Sequence, residues 1–275
     1  MLGKKHFEVK TVNGVLMGNG SISIKGVHLN VHSFFIDGIL IDAGARSLEK
    51  HFIPFFKELK IDQAILTHYH EDHSGCASFL QKELSIPIYM NNLMIESCKK
   101  KADYPLYRQL FWGKRRPFTA QPITESFQSN GALWQVINTP GHAADHLAFL
   151  NTETGQLFTG DLYCQEKTKV VLREEHVPDI IASLKRVLTY DFEDVFCSHA
   201  GYMSEGRDAL TRKLEYMLNL EGTILKLHEE GKSVEEINHE LFPKTYPITR
   251  FSRGEWHSIH IVRSVISQNK VAVKS

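Results

Sequence analysis

Along the first forty residues, apolar positions alternate with polar ones and with glycine. Ser21-Ile22-Ser23-Ile24 and His32-Ser33-Phe34-Phe35-Ile36 have strand character, punctuated by Gly14, Gly18, Gly20 and Gly26. Asp37-Gly38 suits a two-residue hairpin turn, after which Ile39-Leu40-Ile41 runs into Asp42-Ala43-Gly44. A helix is predicted from about Ser47 to Leu59, capped by Ser47. Strands and helices then alternate. Ile61 to Thr67 and Ile86 to Tyr89 are short apolar strands, with a helix predicted between them from His73 to Leu84. Further strands are predicted at Trp134–Asn138, His146–Leu150 and Asp194–Ser198. This order predicts an α/β protein whose sheets carry helices on their outer faces.

Beyond Ser204 the period changes. Leu210, Leu214, Met217, Leu220, Ile224 and Leu227 fall on one helical face between Asp208 and Glu230. Gly231 stops that helix, and Ser233 with Glu236 forms a capping box for another. The pattern divides the chain into an α/β domain over residues 1–203 and a helical module over 204–275, with no further sheet expected in the tail.

Composition narrows the function classes. The 275 residues are 42% hydrophobic and carry no formal net charge, so no whole-molecule field draws the protein to nucleic acid or membranes. No apolar run is long enough for a membrane span, and Met1 to Glu8 has no apolar stretch behind its two lysines. Cys76, Cys98, Cys164 and Cys197 are widely spaced and form no CxxC pair. A disulfide framework and a thiolate zinc site are not expected, and the cytoplasm is the expected compartment.

The chemistry is concentrated in Thr67-His68-Tyr69-His70-Glu71-Asp72-His73-Ser74-Gly75, directly after an apolar strand. In extended chain His68 and His70 project to one side. Asp72 and His73 follow at the turn and can face a neighbouring point. An isolated His-x-His arises easily by chance; four ligand-type residues within six positions do not. Imidazoles with a carboxylate and no thiolate suit zinc, with iron or manganese as alternatives.

These residues, with Thr139-Pro140-Gly141-His142, Thr159-Gly160-Asp161 and Cys197-Ser198-His199 in order, resemble the metallo-β-lactamase superfamily over residues 7 to 203. The resemblance implies an αββα sandwich with the site at one edge of two sheets. It also implies one metal held by His68, His70 and His142, a second by Asp72, His73 and His199, and Asp161 bridging both. Asp42 is the candidate anchor for the second nitrogen of a ligand imidazole. Two divalent ions would outweigh Asp72, Asp161 and a bridging hydroxide, leaving a positive site that generates hydroxide near neutral pH. Asp72 is the candidate general base. Asp161 stands where the commonest class B β-lactamases carry a cysteine ligand, which disfavours antibiotic hydrolysis. His70 stands where flavo-diiron oxidoreductases carry a glutamate, which disfavours oxygen reduction.

The substrate is less legible. Tyr107, Arg108 and Trp112 interleave aromatics with a cation and are candidates to grip an anionic small molecule. The alternative is a surface helix whose aromatics pack on the sheet. Residues 244 to 275 hold Lys244, Arg250, Arg253, Arg263, Lys270 and Lys274 against Glu255, a footprint that RNA would fit. A solvated helical face explains the same charge. Trp256, His257 and His260 are candidates to line the site from the tail. The first expectation is therefore an ester or thioester hydrolase. A metal-dependent endoribonuclease or phosphodiesterase and a mononuclear iron persulfide dioxygenase are the alternatives.

Overall fold

The computed structural model describes residues 3 to 272; Met1, Leu2 and Lys274, read above, lie outside them. The chain opens with strands β1 (Lys4–Val12), β2 (Val15–Ile24), β3 (Val27–Ile36) and β4 (Ile39–Ile41), then helix α1 (Glu49–Lys57). β5 (Gln63–Ile65), α2 (Ala77–Glu83), β6 (Ile88–Met90), α3 (Ile95–Cys98), α4 (Leu106–Trp112) and β7 (Gln121–Pro122) follow. These seven strands form one sheet in sequence order. Next come β8 (Ser126–Gln128), β9 (Leu133–Asn138), β10 (Leu147–Asn151), β11 (Leu157–Phe158), β12 (Val171–Leu172), α5 (Val177–Val187), β13 (Val195–Cys197) and β14 (Gly201–Met203). The second sheet runs β14-β13-β11-β10-β9-β8. The tail holds α6 (Gly206–Glu229), α7 (Val234–Leu241), α8 (Pro247–Phe251), β15 (Trp256–His257) and α9 (Ile259–Ala272).

Strand alternation sorts the apolar side chains into three layers. Ile39, Ile41, Ile65, Leu147, Phe149, Phe158 and Phe196 meet between the two sheets. Their strand neighbours Leu40 and Ala64 turn outward against Phe52, Phe56 and Leu80 of α1 and α2. Ala148, Leu150, Leu157 and Val195 turn outward against Ile181 and Leu184 of α5, Met217 of α6 and Val262 of α9. The result is helix, sheet, sheet, helix. Burying each large aliphatic or aromatic side chain contributes about 1.5–3 kcal/mol, so the inter-sheet layer is a major source of stability.

Asp37 and Gly38 both take positive φ, +49° and +81°, as a hairpin turn between twisted strands requires. Ser233 and Glu236 form both halves of the capping box. Three sequence expectations need correction. Ser47 does not cap α1; its hydroxyl donates to the Phe111 carbonyl, and a short 3₁₀ turn precedes the helix. The helix after the first motif begins at Ala77 and not at His73, because residues 71 to 76 turn to aim side chains inward. Gly75 sits inside that turn, where a Cβ would lie 2.4 Å from the Arg46 nitrogen. The tail is not purely helical. β15 pairs antiparallel with β12, Val171 against His257 and Leu172 against Trp256.

Candidate metal centre

The first motif follows the C-terminal end of β5, an interior strand of the first sheet, and is pinned by Asp42 just after β4. Asp42 takes a positive φ of +61° and accepts hydrogen bonds from the Thr67 amide (2.8 Å) and hydroxyl. Its Oδ2 lies 2.6 Å from His73 Nδ1. The turn thus directs the His73 ring by its rear nitrogen and frees Nε2 to face inward.

Every other imidazole of the cluster is held in the same way. His68 Nδ1 lies 3.0 Å from the Thr67 hydroxyl. His70 Nε2 lies 3.0 Å from Glu174 Oε1, and His142 Nδ1 lies 3.2 Å from Glu175 Oε2. His199 Nδ1 bonds the Asn30 carbonyl. The opposite nitrogens converge. His142 Nε2 is 3.1 Å from His70 Nδ1, while His73 Nε2 and His199 Nε2 are each 3.7 Å from Asp72 Oδ2. Asp161 stands between the two groups, Oδ2 3.3 Å from His142 Nε2 and 3.0 Å from His199 Nε2, with Oδ1 3.4 Å from His73 Nε2.

The donor atoms of His68, His70 and His142 lie within 4.8 Å of one another, as do those of Asp72, His73 and His199. His68 Nε2, His73 Nε2 and Asp161 Oδ1 are buried without a hydrogen-bond partner among the described residues. Buried polar atoms are rarely left so. Nitrogen and oxygen donors aimed at two shared points fit two divalent cations, which would satisfy all three atoms.

The electrostatics favour positive charge at those points. Burial, reinforced by Arg108, lowers His70 to about 4, and burial also pushes His68 well below its ordinary value, so both are neutral donors. Burial opposes protonation of His199 too, but the Asp161 carboxylate overrides it and raises the imidazole to about 9. Asp161 resists its own burial because His199, His73 and His142 surround it, and it stays ionised. Carboxylates that draw protons onto neighbouring imidazoles mark a place that holds cations.

Asp161 is positioned by its backbone. Its amide donates to His146 Nε2 at 2.9 Å, and His146 Nδ1 is tied to Thr139. Gly160 makes this approach possible: it takes φ +52°, and a Cβ there would lie 2.6 Å from His146 Nε2.

Tyr107, Arg108 and Trp112 of α4 line a cavity of about 240 Å³ that also contains His70, Asp72, His142, Asp161 and His199. Leu29, Phe111, Ile248 and Trp256 make the rest of its wall largely apolar. The aromatics of α4 also pack inward, Trp112 and Phe111 joining the core. The Arg108 guanidinium forms a bidentate pair with Glu71, at 2.6 and 2.7 Å. Of the tail residues, Trp256 reaches the cavity; His257 lines another pocket, and His260 bonds the Gly254 carbonyl. Glu71, Glu174 and Glu175 were not singled out in the sequence. Glu174 and Glu175 belong to no motif, and only their adjacency to one another would have marked them.

A family model described as the metallo-beta-lactamase superfamily matches residues 27–213. Among curated proteins, the lactamase-like protein notP of an Aspergillus species is 26% identical over 66% of this chain and 50% of its own length. The thioesterase pkgB of Emericella nidulans is 31% identical over 52% of this chain and 37% of its own. The chain thus spans half or less of these two relatives. Among solved structures, a metallo-beta-lactamase from Pontibacter korlensis superposes with a TM-score of 0.63 at 18% identity, covering 78% of this chain and all of that one. A metallo-beta-lactamase family protein from Thermus thermophilus covers 96% of this chain and 94% of its own, with a TM-score of 0.62 at 18% identity. The layered fold, the converging donors and the family match agree: this chain belongs to the metallo-β-lactamase superfamily.

Proposed function

We propose that the chain is a dinuclear metal-dependent hydrolase that attacks the carbonyl of a small ester or thioester with an activated water. The observation that carries this reading is the pair of three-residue donor groups with Asp161 between them. His68, His70 and His142 would hold one ion and Asp72, His73 and His199 the other. Zinc suits the donors best, with iron or manganese as alternatives. Two bound cations supply an acidified water and a polarised carbonyl. The chain's own groups do the remainder. Asp72, whose Oδ2 reaches both neighbouring imidazoles, would take the proton of the attacking water. Asp42, Glu174 and Glu175 fix the ring orientations. The apolar wall of Trp112, Phe111 and Trp256 excludes bulk water and receives an acyl group.

The name of pkgB is that of a thioesterase, which supports acyl transfer to water over other reactions of the fold. Four free cysteines suit the reducing cytoplasm, and no helix among the described residues is long and apolar enough to cross a membrane. The test is a screen of metal-loaded protein against thioesters, lactones, phosphodiesters and RNA, with elemental analysis of the same sample. Turnover of acyl substrates at close to two ions per chain is expected. One ion per chain unchanged by supplementation, or cleavage of RNA with no acyl turnover, overturns the reading.

A further inference from the structure

Glu71 and Arg108 line the metal cavity on one side and, on the other, a second groove of about 720 Å³. The wall between them sets one guanidinium against three carboxylates. Arg108 pairs with Glu71 and also draws Glu174 and Glu255 to 3.5 and 3.6 Å. Beyond that wall the groove is lined by an excess of cations, with Asp103 as its further carboxylate. Lys100, Lys101, Arg173 and Arg253 line it, and none of them has a carboxylate within ion-pair distance among the described residues. Arg115 also lines it, although it is 6% exposed. Its guanidinium donates to the main-chain carbonyls of Cys98, Ser97 and Arg116, with no carboxylate partner among the described residues. Carbonyls orient that charge without cancelling it, and burying an uncancelled cation is costly.

Arg253 has a further peculiarity. It takes φ +54° in the turn that leads into β15, a conformation that side chains other than glycine adopt at a cost. That turn sets it at the groove while Trp256, three residues on, reaches the metal cavity. The two chambers therefore differ in kind: one joins a largely apolar wall to the metal-type donors, and the other carries an excess of cations over carboxylates.

We propose that the cationic groove is the subsite for a phosphate-bearing leaving group, so that the substrate is an acyl ester or thioester whose alcohol or thiol carries phosphate. This rests on the acyl-hydrolase reading above. The apolar cavity takes the acyl part, and dispersed guanidinium and ammonium groups match several phosphate oxygens better than one carboxylate. A nucleic acid would instead need the cationic surface to continue across the metals, where aromatic and aliphatic side chains stand.

Binding tests this without requiring turnover. Coenzyme A, a thiol that carries phosphates, and pantetheine, the same thiol arm without phosphate, are titrated calorimetrically into the metal-loaded protein. Coenzyme A should bind at least about tenfold more tightly, with an advantage that shrinks as salt is raised. Arg253→Glu and Lys101→Glu, on separate segments and outside the metal cluster, should each remove most of that advantage and leave pantetheine binding unchanged. Equal binding of the two ligands, or variants that bind coenzyme A as the wild type does, overturns the subsite. So does a single-stranded oligoribonucleotide that binds more tightly than coenzyme A at the same salt. Loss of acyl turnover with this binding pattern intact would instead count against the hydrolase reading alone.

Discussion

The Glu175 carboxylate spans two segments at once: Oε1 accepts the Leu172 amide at 2.7 Å while Oε2 lies 3.2 Å from His142 Nδ1. Glu174 beside it reaches His70 in the same way and also accepts from the Tyr69 hydroxyl at 2.9 Å. These contacts, against the cost of burial, hold Glu174 down to about 2, so it is a carboxylate at any working pH. Both glutamates follow β12, which is held by β15 of the tail. The C-terminal segment thereby orients the two imidazoles proposed for one metal.

Glu175→Gln should weaken metal binding at the His68, His70 and His142 group by about 10–100-fold and spare the other group. Chelator competition on the apo protein, read as two separate affinities, checks this. Equal weakening of both, or of neither, would show that Glu175 only braces the loop.

Asp161→Ala should cost more than the loss of any single imidazole, because its carboxylate faces His142, His199 and His73 together. The expected result is loss of both ions on elemental analysis. A variant that keeps two ions and normal turnover would make Asp161 a structural carboxylate.

Asp72→Asn should lower kcat by about 10²–10⁴-fold with partial loss of one metal, as removal of a general base does. His146→Asn should act on stability instead. His146 is buried and accepts the Asp161 amide, and leaving that donor unpaired costs about 1–3 kcal/mol. In folded, metallated protein its kcat should fall no more than about tenfold. Turnover, metal content and Tm measured together on both variants separate the roles; an inactive His146→Asn that is fully metallated would reverse them.

Asp145 offers a pH prediction. Burial raises its carboxyl to about 7, against the opposing pull of the Asp145 and Tyr69 backbone amides and of His142. In the unfolded chain it titrates near 4. Between those values the folded state holds a proton that the unfolded state has released, so its contribution is full below about 4 and is lost as pH rises through about 7. Apo wild-type protein should therefore lose stability relative to Asp145→Asn from pH 5 to pH 8. Parallel denaturation midpoints across that range would show that Asp145 is not protonated in the fold.

By itself the sequence determined the α/β alternation of strands and helices and the local cluster of four ligand-type residues. Which residues of these unbroken apolar runs face the other sheet (Ile39, Ile41 and Phe149) and which face the helices (Leu40 and Leu150) was fixed by the packing of the two sheets. His68, His70, Asp72 and His73 are legible because their spacing is local: a strand end and one turn bring them together. Tertiary structure alone decided what holds and surrounds them. Asp42 could be suspected from its place after an apolar strand, but Glu174 and Glu175 could not, since their role depends on a ladder between Val171-Leu172 and Trp256-His257. The same holds for Arg108, read as a grip for substrate and found paired with Glu71. Local spacing encodes which atoms can converge. Which carboxylate compensates which buried nitrogen or cation depends on long-range packing, because burial, which makes the partner necessary, exists only once distant segments meet.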